Sequence, residues 1–312
     1  MADSGYRNAV LIYNPKAGRL KRNAEELVGK AVACLHAAGF DVTVAPTTGP
    51  GTAGGIARER IAAGAGLIIA AGGDGVINET VEGMVNSQTP LAILPAGTAN
   101  VLATELKLGA NMWRAAGRLS ELTPRRISLG HISCDGGRVS RHFLLMAGAG
   151  FDAHIVYNLN SSLKARAGKL AYWAASWSQV GRRLPQILVE TEGRQIQCSF
   201  ALFSKVRNYG GDFEIARTAS LFDGRFEAAL FEGRSTANYL KYVFGMAMRR
   251  LDKMKGVTFL KTDRANLTCP GDPRVYMQID GEFAGRLPAE IRIVPDALTL
   301  LVPPEYGRLA LT

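Results

Sequence analysis

An apolar run, Leu67-Ile68-Ile69-Ala70-Ala71, passes without a polar break into Gly72-Gly73-Asp74-Gly75-Val76-Ile77-Asn78-Glu79 and then into a helical pattern. A strand that turns through glycines into a helix leaves few folds open. Glycine allows positive φ and close approach of a ligand, while the following helix presents unpaired N–H groups and its positive dipole end to an anion. The chain therefore carries the outline of a phosphate-binding turn. Asp74 is the exception within it, because a carboxylate beside phosphate repels it unless a divalent cation lies between them or the group handles a proton. Taken alone, Gly-Gly-Asp-Gly also describes a tight turn with an aspartate cap.

The surrounding pattern extends the argument. Short apolar runs at Ala9–Tyr13, Val42–Val44, Leu67–Ala70 and Leu91–Leu94 alternate with helical periodicity, which predicts βα units and an open parallel sheet with helices on both faces. Between the first two runs, Ala24, Leu27, Val28, Ala31, Leu35 and Ala38 recur at helical spacing and stop near Gly39. Each predicted strand ends in a polar or glycine cluster: 14–18, 47–49, 72–75 and 95–100. In an open α/β sheet these ends share one rim, where ligands bind.

Beyond about residue 125 the texture changes to short alternating runs with turn signals at Asp135-Gly136-Gly137 and Glu192-Gly193, which predicts antiparallel β structure. At 312 residues, two domains are expected: an α/β domain over 1–126 and a mainly β, sandwich-like domain over 127–303. The tail after Pro303-Pro304-Glu305-Tyr306, about 304–312, is expected to return to the first. Two helical patterns interrupt the second domain, one within 155–181 (Leu163, Ala167, Leu170, Trp173) and one over Thr236–Leu251 (Tyr239, Tyr242, Val243, Met246). Such apolar stripes read first as core and second as the lining of an apolar channel.

The 37 Lys and Arg residues against 27 Asp and Glu give a net charge of +10, which favours anionic partners. Pairs at Arg125-Arg126, Arg182-Arg183 and Arg249-Arg250, with Lys253 and Lys255 nearby, read as solvated surface, and no long basic block marks a nucleic-acid tail, so no nucleic-acid partner is expected. Cys34, Cys134, Cys198 and Cys269 have neither Cys-x-x-Cys nor zinc-like spacing and read as reduced core residues. No signal peptide or membrane span is evident, so the expected location is cytoplasmic.

The rim clusters, taken in order, resemble the diacylglycerol kinase catalytic-domain family, which includes bacterial lipid kinases and sphingosine and ceramide kinases. Asn14-Pro15-Lys16-Ala17-Gly18 is similar to its first nucleotide loop, Thr47 or Thr48 to its nucleotide-contacting threonine, and residues 72–79 to its signature. Leu94-Pro95-Ala96-Gly97-Thr98-Ala99-Asn100 follows, then Gly148-Ala149-Gly150-Phe151-Asp152, Asn208-Tyr209-Gly210-Gly211, Asp223-Gly224 and Asp280-Gly281-Glu282 in the family's order. The resemblance implies a nucleotide-binding domain followed by a lipid-binding one, with ATP and Mg2+ between them and a lipid hydroxyl attacking the γ-phosphate. It implies nucleotide contacts from Asn14, Pro15, Thr47, Thr48, Gly72, Gly73, Asp74, Gly75, Asn78, Glu79, Gly97, Thr98 and Asn100. Catalytic roles fall to Asp74, Asp280 and Glu282, with Glu282 accepting the hydroxyl proton, and a second cation loop uses Asp223 with the carbonyls of Ser220 and Arg225. Diacylglycerol, phosphatidylglycerol, sphingoid bases and ceramide are all open as acceptors. Transient docking on anionic membrane through basic residues is expected, and a homodimer is allowed.

The chain departs from the family pattern at Val76, where a threonine is usual, at Val101 and Phe222, where aspartates are common, and at Arg217, where proline is frequent. Gly49-Pro50-Gly51-Thr52-Ala53-Gly54 formally matches a dinucleotide fingerprint, but it follows the second strand and places proline in the phosphate turn. The closer rival is NAD kinase, which shares Gly-Gly-Asp-Gly; blocks 94–100 and 280–282 resemble the lipid kinases more. A catalytically silent lipid or nucleotide sensor is the non-enzyme alternative, disfavoured by retention of Asp74, Asp280 and Glu282.

Overall fold

The computed structural model describes residues 6, 8–150, 184–209, 213–234, 241–242, 244–246, 248–271 and 275–306. The helix predicted within 155–181 lies outside them, as do Phe151, Asp152, Gly210, Gly211, Tyr239, Val243, the Arg182-Arg183 pair and residues 307–312. The chain forms two compact units, residues 1–128 with 295–312, and residues 129–294.

The first unit is α/β. Strands β1 (Ala9–Tyr13), β2 (Val42–Pro46), β3 (Leu67–Gly72) and β4 (Leu91–Pro95) pair in parallel in the order β2-β1-β3-β4. All four follow the apolar runs read from sequence. Helices α1 (Ala24–Ala37), α2 (Ala53–Ala62), α3 (Asp74–Glu82), α4 (Val101–Glu105) and α5 (Met112–Gly117) connect or follow them. Alternate residues of the central strands serve opposite faces. Leu11, Leu67, Ile69, Ala92 and Leu94 pack with Val28, Ala31 and Leu35 of α1 and Ala115 and Ala116 of α5, while Ile12, Ile68, Ala70 and Ile93 are buried toward the other face.

The second unit is antiparallel. The chain enters it within β5 (Thr123–Cys134) and continues through β6 (Val139–Phe143), β7 (Met146–Gly150), β8 (Ile187–Thr191), β9 (Arg194–Cys198) and β10 (Phe200–Ser204). The two-residue strands β11 (Asn208–Tyr209) and β12 (Phe213–Glu214) precede β13 (Phe226–Phe231), β14 (Val257–Thr262), β15 (Arg264–Thr268), β16 (Tyr276–Ile279) and β17 (Glu282–Arg286). One sheet runs β14-β13-β10-β7-β16-β17, and β9-β8-β15 pairs onto the first part of β18 (Ala289–Val302). Phe203, Phe226, Ala228, Leu230, Met277 and Ile279 of the first sheet share a core with Ile187, Val189, Leu267 and Ile291 of the other, the alternation of a β-sandwich. The chain leaves this unit inside β18, whose Leu300 pairs in parallel with Leu91. The return therefore begins at Pro295, ahead of the expected 304, and Tyr306 donates to the buried Glu105 carboxylate at 3.0 Å.

One local reading changes, and one formal match finds its physical role. Arg126, taken as solvated, donates to the carbonyls of Ser87 (2.7 Å) and Asp296 and to the Thr299 hydroxyl (3.1 Å). The dinucleotide-like glycines are a helix crossing: a Cβ on Gly83 would lie 2.0 Å from the Gly54 carbonyl oxygen, whereas Gly49 and Gly51 meet nothing within 4 Å. The four cysteines are thiols rather than disulfides, and burial pushes Cys134 to about 11 and Cys198 to about 12, which keeps both protonated.

The Gly54 contact makes a stability prediction. Gly83→Ala forces α2 and α3 apart and lowers unfolding free energy by about 1–3 kcal/mol in urea titration. Gly55→Ala, beside Gly54 on α2 but open to space, leaves stability unchanged or raises it by about 1 kcal/mol or less.

Candidate active site

The strand order places a topological switch between β1 and β3, since the chain moves to opposite sides of β1 for β2 and β3. Ligands of open α/β sheets bind at that crevice, beyond the carboxyl ends of the strands. Those ends are level: Tyr13 is in register with Pro46 and Ala71, and Gly72 with Pro95. Three of the four expected loops touch there through backbone. A Cβ on Gly97 would lie 2.3 Å from the Gly73 Cα, and one on Gly18, at φ +37°, would lie 2.7 Å from the Ala96 carbonyl oxygen. The fourth loop is tied in by the Thr47 amide, which donates to the Tyr13 carbonyl at 2.8 Å.

Side chains lock this cradle. Asn100, at φ +48°, accepts from the Gly97 amide (2.8 Å) and donates to the Gly97 carbonyl (3.0 Å). Asn14 accepts the Lys16 amide at 2.8 Å. Asp74 accepts the amides of Val101 (3.1 Å) and Leu102 (3.2 Å), so its carboxylate caps α4. Burial pushes its pKa up, and those amides, with its own, oppose the rise. The usual reason to retain an acid beside phosphates is thus joined by a structural one. Glu79 reaches the Ala53 amide at the start of α2, 3.4 Å away. Val76 packs on Gly72, where a Cβ would lie 2.7 Å from its own, so the usual hydroxyl is replaced by packing.

What remains available in the cradle is donor chemistry. Thr48 and Thr98 are exposed, Pro15, Gly73 and Gly75 are half-buried, and the first amides of α3 have no partner within the helix. Asn78, one turn beyond Asp74, is 2% exposed, and among the described residues neither atom of its side-chain amide has a hydrogen-bond partner. An unsatisfied buried amide of this kind costs about 1–3 kcal/mol, which a polar ligand would recover. A close-approach glycine cradle, a helix N-terminus and an orphaned amide fit a nucleotide phosphate chain.

The second unit holds the remaining acids. Asp280, at φ +48°, accepts the amides of Leu144, Leu145 and Met146, each at 2.9 Å, and its own amide donates to the Met146 carbonyl. Its carboxylate clamps the turn between β6 and β7. Gly281, at φ +80°, donates to Oε1 of the buried Gln278 at 2.9 Å. Glu282 emerges from this rigid turn with 43% of its side chain exposed, and Arg141 lies 3.6 Å away. Asp74 and Asp280 spend their carboxylates on backbone amides, whereas that of Glu282 faces the Arg141 guanidinium.

The expected second cation loop does not fit a divalent ion. The Asp223 carboxylate accepts from Lys261 Nζ (2.6 Å) and the Arg225 amide (3.0 Å), its carbonyl accepts from Lys205 Nζ, and the Ser220 carbonyl accepts the Asp223 amide (3.0 Å). Two ammonium groups supply the positive charge that a metal would bring. Lys205 is wholly buried; burial pulls its pKa down to about 8, Asp223 opposes and Lys261 adds to the fall, so it stays mainly protonated at neutral pH. Sequence reasoning missed both lysines, whose only local signal was the lone cation ending an apolar strand. Among the described residues no three His, Cys, Asp or Glu side chains cluster as a metal site. Arg217 faces Asp252 across 4.0 Å on the surface.

The lysines make a test of the loop. Lys205→Met is expected to lower stability by about 1.5–3 kcal/mol, the worth of a charged buried hydrogen bond. Without nucleotide, the wild-type melting temperature should be the same in EDTA and in Mg2+; an EDTA-induced fall abolished by Asp223→Asn would show a cation in the loop.

A family model described as the diacylglycerol kinase catalytic domain matches residues 8–132, and one described as the YegS C-terminal NAD kinase beta sandwich-like domain matches 146–302. The chain is 28% identical over 308 residues to a protein named diacylglycerol kinase in Bacillus subtilis (strain 168), covering 96% of this chain and 97% of that one. It is 30% identical over 251 residues to one so named in Mycobacterium tuberculosis (strain ATCC 25618 / H37Rv), covering 78% and 79%. A crystal structure of a diacylglycerol kinase from Bacillus anthracis str. Sterne superposes with a TM-score of 0.75 at 22% identity, over 96% of this chain and 98% of that one, which bears on the fold. The ordered rim loops, the sandwich and both family matches make this chain a member of the diacylglycerol kinase catalytic-domain family.

Proposed function

We propose that this phosphotransferase uses ATP and Mg2+ to phosphorylate the hydroxyl of a lipid, with diacylglycerol as the leading acceptor. The observation that carries the reading is the backbone contact of Gly18, Gly73 and Gly97 loops at the switch between β1 and β3, beside the orphaned Asn78 amide. Phosphoryl transfer asks the protein mainly for positioning and charge stabilisation, and Mg2+, when bound, neutralises phosphate charge. In this reading the loop amides and the start of α3 hold the phosphates, and Thr48 and Thr98 add hydroxyl donors. Asn78 donates to the nucleotide. Asp74 is a positioning residue that holds α4 and the Gly97 loop in place, with lone pairs left for a cation. Asp280 fixes the turn from which Glu282 takes the acceptor's proton.

The comparison with a silent sensor rests on Glu282. Asp74 and Asp280 hold backbone amides that a sensor would need as well, so their retention no longer argues for catalysis. NAD kinase remains the rival enzyme, since the C-terminal match names an NAD kinase-like sandwich.

The decisive experiment is transfer of labelled γ-phosphate from ATP to a panel of diacylglycerol, phosphatidylglycerol, sphingosine, ceramide and NAD, with Mg2+ present or withheld. Labelled lipid only with Mg2+ is expected; labelled NAD alone would mark an NAD kinase, and no product a sensor. Glu282→Gln should lower kcat by about a hundredfold or more with ATP affinity and melting temperature unchanged. Asp74→Ala, in contrast, should raise the KM for ATP and also cost about 1–3 kcal/mol of stability through loss of the α4 cap. Gly97→Ala should abolish ATP binding, because its methyl would displace the Gly73 loop.

A further inference from the structure

Among the described residues, the two most exposed large hydrophobic side chains are Phe244 (67%) and Met248 (53%). The Met248 amide donates to the Phe244 carbonyl at 2.9 Å, so they stand one helical turn apart on one face. The segment is not loosely held. Tyr242, 3% exposed, donates its hydroxyl to the Glu232 carbonyl at 2.7 Å, lies 2.9 Å from that of Gly256, and packs edge-on against Phe231. The Arg250 amide donates to the Gly245 carbonyl at 2.8 Å, and the buried Leu251 closes the turn. One side of the segment is therefore pinned into the second unit's fold, while Phe244 and Met248 point into solvent.

Charge surrounds them. Lys241, Arg249, Arg250, Lys253 and Lys255 are all exposed, against two carboxylates nearby, Asp252, which Arg217 faces, and Glu232, beside Gly256. Exposed apolar side chains ringed by cations match the boundary between acyl chains and anionic headgroups: the apolar groups enter the hydrocarbon edge and the cations stay at phosphate level. A polar protein surface would leave Phe244 and Met248 unsatisfied, and a second copy of this basic face would repel it.

We propose that Phe244, Met248, Arg249, Arg250, Lys253 and Lys255 form the surface by which this protein docks on an anionic lipid bilayer, with Phe244 and Met248 inserting and the four cations reading headgroup charge. The purpose of docking rests on the lipid-kinase reading; the surface itself does not. In the stripe expected here as core, Tyr242 is buried and Met246 half-buried, with Tyr239 and Val243 outside the described residues; Phe244 and Met248, which that stripe did not include, are the exposed pair.

The test is flotation of the full chain with vesicles of phosphatidylcholine containing phosphatidylglycerol, or of phosphatidylcholine alone. Wild type is expected to bind the anionic vesicles more tightly, and less so as salt rises. Phe244→Ser with Met248→Ser should weaken binding about tenfold or more, and Arg249→Glu with Arg250→Glu should remove the preference for anionic vesicles. Phe244→Trp should add emission that shifts to the blue on vesicles. Wild-type vesicle affinity in both double variants, no binding by wild type, or a self-association that the serine variant abolishes would each overturn the proposal. Phosphotransfer to a short-chain diacylglycerol held monomeric in solution separates the two readings. Retained there in the serine variant, it isolates the defect to docking; absent in wild type that still floats, it defeats the kinase reading alone.

Discussion

The first unit depends on two glycines lying against each other. Gly73 ends the turn into α3 and Gly97 ends the turn after β4, and neither loop could approach the other if a methyl group stood at Gly97. Because the loops meet, the start of α3 sits in the switch between β1 and β3, and Asn100 can lock the Gly97 amide and carbonyl while opening α4. In the proposed function, the bare backbone leaves room for phosphate oxygens against N–H groups.

The acids of this protein divide by what their carboxylates hold. Asp74 takes two amides and Asp280 three. Carboxylates in that position behave as bolts, because a charge-assisted bond to backbone is among the stronger interactions available and fixes a loop in space. Glu282, two residues from Asp280, gains a defined direction from a turn it does not itself hold together. Rigid support beneath a half-exposed acid suits the proton transfer proposed for it. The Asp223 loop follows the same economy of charge by other means: Lys205 and Lys261 neutralise it with covalently attached cations, which do not depend on ion concentration.

The basic excess of the chain also has a place rather than an average. Arg126 spends its charge inside the first unit on carbonyls of Ser87 and Asp296, and Arg225 pairs with Glu192. The cations at 241–255 are instead exposed around two apolar side chains. Net charge gave no means of telling these apart, since a guanidinium counts the same whether it braces a loop or faces solvent.

Strand positions, the α1 periodicity, the antiparallel character of the second half and the ordered rim loops were legible without coordinates, because each is written in neighbours a few residues apart. Hydrophobic alternation and glycine placement act locally, and the switch-point rule converts them into a site. The roles of individual acids were not legible. Asp74 finds its amides 27 and 28 positions away and Asp280 finds its own 134 to 136 away, so nothing beside either residue reveals that its oxygens are engaged. The same holds for Lys205 on the Asp223 carbonyl and for the strand β18 that carries the chain back at Pro295. Residue type and order determined which chemistry this chain carries; packing between distant segments decided which groups remain available to perform it, because a hydrogen bond made across the fold removes a group from use as surely as a substitution would.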